Sequence, residues 1–214
     1  MERNTLAMVH AFLRQHVKPG ALCIDATAGR GRDTALLCRL AGPEGRVLAF
    51  DIQQCALDQT AALLESEGLR AELHLVSHEH LAEYAAAGSV DCVVFNFGRL
   101  PGGDPAIMTR ADSSVAAVKS ALELLKPGGV MALALYYGGA NGYEERDALL
   151  AYLRSVDEHA FSVLCCDWCN RPHDPPIAVF VWRESSDGRK TAACPAPHPP
   201  SARDRAFRRC GYGI

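Results

Sequence analysis

The strongest constraint on this chain is an alternation of short apolar runs with segments of helical spacing. The runs at 21–26, 46–51, 71–76 and 90–96 each stop at polar side chains: Asp25, Asp51, Ser77-His78-Glu79 and Asn96. Strands buried on both faces read as such unbroken apolar runs, and strand–helix repetition builds a mostly parallel sheet with helices on both faces. A fifth run at 130–137 follows the turn Lys126-Pro-Gly-Gly129. Two final runs, about 161–168 and 177–183, are joined by a polar loop with no helix between them, which makes them antiparallel neighbours. The expected fold is α/β, with seven mostly parallel strands and an antiparallel terminal strand. Helices are expected at 4–16, 33–40, 54–67, 113–125 and 144–159. Asn4 caps the first of them, which buries a stripe of Leu6, Val9 and Leu13.

In an open parallel sheet, ligands sit beyond the carboxyl ends of the strands. The first end here runs from Asp25 through Thr27, Gly29, Arg30, Gly31 and Arg32 to Asp33, a strand passing through a tight glycine turn into a helix. Such a turn lets a ligand lie against bare backbone and unclaimed N–H groups. Asp51 lies 20 residues beyond Gly31, the spacing at which a carboxylate accepts the ribose hydroxyls of an adenosine cofactor. A dinucleotide fingerprint wants a third glycine beside a pyrophosphate; Asp33 and Thr34 stand there instead. A carboxylate at 33 would repel a pyrophosphate and attract the ammonium of a methionine moiety, and Asp25 has the same logic. The set favours S-adenosylmethionine, with a nicotinamide-dependent oxidoreductase as the more distant alternative.

The runs Asp25-Ala-Thr-Ala-Gly-Arg-Gly-Arg-Asp-Thr34, Phe50-Asp-Ile-Gln53, His78-Glu79, Phe95-Asn-Phe-Gly-Arg-Leu-Pro-Gly-Gly-Asp104 and Tyr136-Tyr-Gly138 resemble the motifs of the YtqB/MnmM-type methyltransferases, often labelled rRNA methylases. The similarity covers about residues 5–183. It implies a Rossmann-like class I methyltransferase fold and S-adenosylmethionine as methyl donor. It also implies transfer to the 5-aminomethyl nitrogen of a wobble (2-thio)uridine, with the tRNA anticodon stem-loop as partner. Ribosomal RNA or a small molecule is the alternative acceptor. The family pattern has asparagines where Arg30 and Arg32 stand.

On this reading Asp25, Thr27, Gly29, Arg30, Gly31, Arg32 and Asp33 form the cofactor loop. Asp51, Gln53, Ser77, His78 and Glu79 complete the cofactor site from the next two strand ends. Asn96 is the candidate catalytic residue, because its amide oxygen can accept an amine N–H and aim the lone pair at the methyl. Tyr136, at the end of the fifth strand, is the second catalytic candidate. The long connection 97–112 supplies Gly98, Arg99, Pro101, Asp104 and Thr109 as a lid over the acceptor base. Arg171 and His173 lie in a loop expected to overhang the same pocket.

Composition sets outer limits. The net charge is −3, and residues 185–214 carry six Lys/Arg against two Asp, so an RNA partner would have to be held by a local patch rather than the overall field. That Pro/Ala/Arg-rich segment has no apolar periodicity and is expected to be a disordered tail behind a methyltransferase domain spanning 1–184. Nine cysteines, with Cys23, Cys38, Cys55 and Cys92 in apolar periodic segments, suit buried free thiols in a reducing cytoplasm. Neither a signal segment nor a membrane span is expected. Cys166 and Cys169 with His173 have zinc-like spacing but no second cysteine pair, and Cys165 is expected to face the core; no metal is expected. A homodimer is compatible with the sequence.

Overall fold

The computed structural model describes residues 4–100, 102, 108–138 and 142–185. Its strands are β1 Leu22–Asp25, β2 Arg46–Asp51, β3 Glu72–Leu75, β4 Val90–Phe97, β5 Leu125–Leu135, β6 Phe161–Cys166 and β7 Ile177–Arg183. The helices are α1 Thr5–His16, α2 Arg32–Ala41, α3 Gln54–Ser66, α4 Ala111–Leu124 and α5 Gly142–Ser155, with a 3-10 helix at His78–Glu83. Pro101, Asp104 and all of the expected tail except Ser185 lie outside the described residues.

The strands form one sheet in the order β3-β2-β1-β4-β5-β7-β6. The first five are parallel, and β7 runs antiparallel to both β5 and β6. This is the expected α/β arrangement. The chain steps outward from β1 to β3, then returns to place β4 on the other side of β1. The order therefore reverses between β1 and β4, where the carboxyl ends of an open sheet leave a crevice.

Alternation along the strands builds a core on each face. Ile24, Val93, Phe95, Phe97, Met131 and Leu133 pack with α4 and α5 on one side. Cys23, Cys92, Val94, Ala132 and Phe180 pack with α1 and α2 on the other. Small residues on that second face let α1 approach closely. Phe12 stacks on Phe180 with ring centroids 4.5 Å apart. The Asn4 side chain accepts the Ala7 N–H at 2.7 Å, as an N-cap should.

Four sequence expectations are corrected. Lys126-Pro-Gly-Gly129 is not a separate turn before the fifth strand: pairing jumps from Val90–Leu125 to Cys92–Val130, so these residues bulge within β5. Cys165 is exposed rather than core-facing, because β6 is the outer edge strand and has a neighbour on one side only. Cys55 is also exposed, on the solvent side of α3, whereas Cys23, Cys38 and Cys92 are buried free thiols as expected. Helix α5 ends at Ser155, four residues before the expected His159.

Candidate active site

At the β1/β4 reversal the strand ends enclose a cavity of about 470 Å³. Its floor is the loop after β1. The buried carboxylate of Asp25 accepts the Thr34 hydroxyl at 2.6 Å and the Thr27 N–H at 3.2 Å, tying the loop to the start of α2. Burial, and then the charge of Asp33, push the Asp25 carboxyl up to about 7. Gly31 caps α2 with φ +76°, and a Cβ there would sit 2.8 Å from Thr60 Cα. Glycine at 31 thus serves both a left-handed turn and the close approach of α3. The Thr27 hydroxyl accepts the backbone N–H of Asn96 at 2.7 Å, which locks the β1 loop to the end of β4.

The β2 end supplies one wall. Asp51 accepts the Gly29 N–H and the Gln53 N–H, each at 2.9 Å, one on each oxygen. Its remaining lone pairs are available at the cavity rim. Beside it Ile52 leaves 54% of its surface exposed, an unusual position for so large an aliphatic side chain and one suited to a flat ring. The 3-10 helix begins at His78 and is capped by Ser77, whose hydroxyl accepts the Glu79 N–H at 3.4 Å. His78 is buried on the cavity wall, and its Nε2 has no hydrogen-bond partner among the described residues. Burial holds this imidazole down to about 4, so it is neutral at ordinary pH.

The opposite wall carries a polar chain. Asn96 Nδ2 donates to one carboxylate oxygen of Asp33 at 2.6 Å, and His10 Nε2 donates to the other at 2.5 Å. A carboxylate only accepts, so these contacts assign both donors and leave Asn96 Oδ1 as an acceptor. Tyr136 lines the same wall with 40% of its surface exposed. Partial burial and the nearby Asp33 charge raise its hydroxyl, which keeps it a neutral donor.

Above these groups the connection after β4 closes back on itself. Thr109 N–H donates to Gly98 O at 2.9 Å, and Gly98 N–H donates to the Thr109 hydroxyl at 2.8 Å. The buried carboxylate of Glu145, on α5, accepts from Thr109 at 2.8 Å and from Ser114 at 2.5 Å. Gly98 has φ +140° and a Cβ there would lie 3.0 Å from Tyr136 Cβ, so only glycine lets this loop lie against β5. Leu100 and Met108 face the cavity and give it an apolar roof.

Comparison with known proteins agrees with this geometry. A family model described as "Putative rRNA methylase" matches residues 47–182. The "tRNA (mnm(5)s(2)U34)-methyltransferase, chloroplastic" of Arabidopsis thaliana is 32% identical over 86% of this chain and 71% of its own length. The chain belongs to this family. The crystal structure of a "putative rRNA-methylase" from Clostridium thermocellum has a TM-score of 0.83 and 38% identity, covering 86% of this chain and 99% of that one. A "putative methyltransferase" from Streptococcus mutans in complex with SAH has a TM-score of 0.78 and 32% identity, with the same coverage. The protein is a class I methyltransferase that uses S-adenosylmethionine.

This methyltransferase brings most of the expected site together. Thr27, Gly29, Arg30, Arg32, Asp33, Asp51, Gln53, Ser77 and His78 line the cavity, as do Asn96, Gly98, Arg99, Thr109 and Tyr136. The orphaned Nε2 of His78, the free edge of Asp51 and the bare Ile52 side chain fit an adenosine. The loop backbone at Gly29 and Arg30 fits the methionine end. Asp25 and Gly31 are off the wall: both are buried and shape the loop from behind. Glu79 points away, pairing with His80 at 3.6 Å.

The loop carrying Arg171 and His173 does not overhang the cavity. It is tied down by Trp168 Nε1 donating to Thr5 and by Thr5 donating to Pro176 O, and Arg171 stacks on Trp168. The structure adds Leu6, His10, Ile52, Leu100 and Met108 to the site; Leu6 is on the helical stripe of α1, and Ile52 and Leu100 lie inside the family-like motifs, whereas His10 and Met108 carry no signal in the sequence. Among the described residues no group of three His, Cys, Asp or Glu is placed to hold a metal, and no helix is long and apolar enough to cross a membrane.

Proposed function

We propose that the enzyme methylates the 5-aminomethyl nitrogen of a wobble (2-thio)uridine in tRNA, giving the 5-methylaminomethyl base. The observation that carries this reading is the acceptor-rich wall at the reacting end of the cavity, where Asn96 Oδ1 and the Asp33 carboxylate face the same space. An amine with N–H bonds to donate is the nucleophile such a wall suits, and the name of the Arabidopsis relative supports it. Bound in this cavity, S-adenosylmethionine supplies an electrophilic methyl on a sulfonium.

The remaining work falls to the chain. Asn96 accepts an N–H of the amine and points its lone pair along the line of attack, so positioning contributes most of the acceleration. Its own side chain is fixed by Asp33 and its backbone by Thr27, so little reorganisation is needed. Tyr136 offers an exposed ring face and a neutral hydroxyl to the base. Leu100 and Met108 exclude water above the reacting atoms. An anticodon base is single-stranded, so no duplex must be opened to reach it.

The reading takes residues 1–184 as the catalytic domain and the cytoplasm as its compartment, which the free thiols support. The test is methyl transfer from labelled S-adenosylmethionine to tRNA carrying 5-aminomethyl-2-thiouridine, with ribosomal RNA as the competing acceptor. Labelling of the tRNA alone supports the proposal; labelling of ribosomal RNA alone contradicts it. Asn96→Ala is expected to lose about 100-fold in turnover with S-adenosylhomocysteine affinity unchanged.

A further inference from the structure

The amine that this site would methylate is mostly an ammonium at neutral pH, and an ammonium has no lone pair to attack with. Some group must take its proton. His78 is held at the adenosine end of the cavity by the 3-10 helix, with Asp51 and Ser77 as neighbours on the wall, so it is placed for the cofactor rather than the acceptor. Tyr136 is a neutral phenol and gives protons more readily than it takes them.

Asp33 has the right position and the right company. It stands in the first turn of α2, is 5% exposed, and lines the cavity. One oxygen holds Asn96 Nδ2 at 2.6 Å, so the carboxylate is one amide away from the atom that receives the amine N–H. The other oxygen holds His10 Nε2 at 2.5 Å. His10 comes from α1, 23 residues earlier in the chain, and 19% of its side chain is exposed.

We infer that Asp33 is the proton acceptor for the substrate ammonium and that His10 is the positioning residue that fixes its carboxylate toward Asn96. The assignment rests on the amine-acceptor reading above. In the step, the ammonium N–H bond breaks and its proton goes to a free lone pair of Asp33, leaving a neutral amine and a carboxylic acid. The nitrogen lone pair then forms the N–CH3 bond as the S–CH3 bond breaks, and the electron pair of that bond stays on sulfur. The product leaves as a secondary ammonium, and Asp33 then returns its proton to water.

Two devices keep the carboxylate available. Its two bonds come from fixed donors on separate elements, β4 and α1, so it cannot rotate away. Neither donor is an arginine, whose planar fork would occupy both carboxylate oxygens at once. The other groups facing it are Asp25 from β1 and Tyr136 beyond β5, with the cavity-lining Arg32 next to it on α2.

The test measures kcat/KM on tRNA carrying 5-aminomethyl-2-thiouridine from pH 6 to 10, with S-adenosylhomocysteine affinity measured by calorimetry on each variant. Asp33→Asn is isosteric and keeps an oxygen for one of the two donors. It is expected to lose about 100-fold or more at pH 7, to hold S-adenosylhomocysteine within twofold, and to recover as rising pH deprotonates the amine without help. His10→Gln keeps a donor to Asp33 and is expected to stay within about fivefold of wild type at each pH. His10→Ala is expected to fall well below His10→Gln. Loss of cofactor affinity by Asp33→Asn in proportion to its lost activity would show that Asp33 holds the methionine ammonium instead, and would overturn the assignment. So would a loss that is flat with pH. Wild-type protein that leaves this tRNA unmethylated overturns the substrate reading and this assignment together, whereas the other two failures leave the substrate reading standing.

Discussion

Asp25 and Asp51 end neighbouring strands with the same side chain, yet their surroundings give them different work. Asp51 meets two backbone N–H groups and the open cavity, so it stays a rim acceptor. Asp51→Asn must turn an amide N–H toward one of those backbone donors, and at least a tenfold loss of S-adenosylhomocysteine affinity is expected by calorimetry. Asp25 is sealed from water, and its carboxyl is raised by burial from 3.8 to about 7. A raised folded value means the folded state binds the proton more tightly than the unfolded chain. The resulting stability is complete below about pH 4 and drains away as pH rises toward 7. His78, held down to about 4, acts oppositely: its contribution is present above about pH 6.5 and lost as pH falls toward 4. Denaturant titrations at pH 5 and 8 separate the two. The stability of wild type relative to Asp25→Asn is expected to drop on the order of 2 kcal/mol between those values, while His78→Gln changes the profile only on the acid side. Which of the two carboxylates would be buried was not legible in the sequence, because both stand at the end of an apolar run. Burial depends on the start of α2 closing over the β1 end, where the Thr34 hydroxyl bonds Asp25, whereas Asp51 opens on the cavity.

Among the elements, the connection between β4 and α4 shows how a loop of glycines and prolines is held at its ends. Glu145 gives both its oxygens to that task, to Thr109 and Ser114, and 3% of its surface is exposed. Removing it takes the acceptor from the buried Ser114 hydroxyl and leaves Thr109 bonded to Gly98 alone. Glu145→Ala is therefore expected to cost about 2 kcal/mol in denaturant unfolding and to raise KM for the RNA more than for the cofactor. Gly31 is the other pinned position. Gly31→Ala places a methyl against the Thr60 backbone at a left-handed φ, and loss of cofactor binding with a lower melting temperature is expected. The turn at Gly29 and Gly31 is readable from residue order, since a strand, a Gly-x-Gly turn and a helix are adjacent in the chain. Glu145 and His10 are not. Each reaches its partner only through the packing of its helix, α5 or α1, across a separation of 23 residues or more. The loop after β6 misled for a related reason. Its polarity suggests an open cover, but Trp168 and Pro176 anchor it to Thr5.

At the scale of the whole molecule, periodicity carried the reading well. Parallel strands buried on both faces must be apolar along their buried stretches, and 22–24 of β1, 47–50 of β2, 92–95 of β4 and 130–135 of β5 are. The same rule fails at an edge: β6 has the apolar residues Val163 and Leu164 at 36% and 50% exposure, and composition does not separate such a strand from a central one. Sheet order is what converts four polar strand ends into one site, because β1 and β4 are neighbours while β2 and β3 lie to one side. The proposal of an S-adenosylmethionine pocket joined to an amine held at Asn96 belongs to this scale. Its most direct test is mass spectrometry of tRNA nucleosides from cells lacking the gene, restored with wild type or with Asn96→Ala. Accumulation of 5-aminomethyl-uridine species is expected, reversed by wild type and not by the variant; a nucleoside profile unchanged by loss of the gene rules out the amine acceptor.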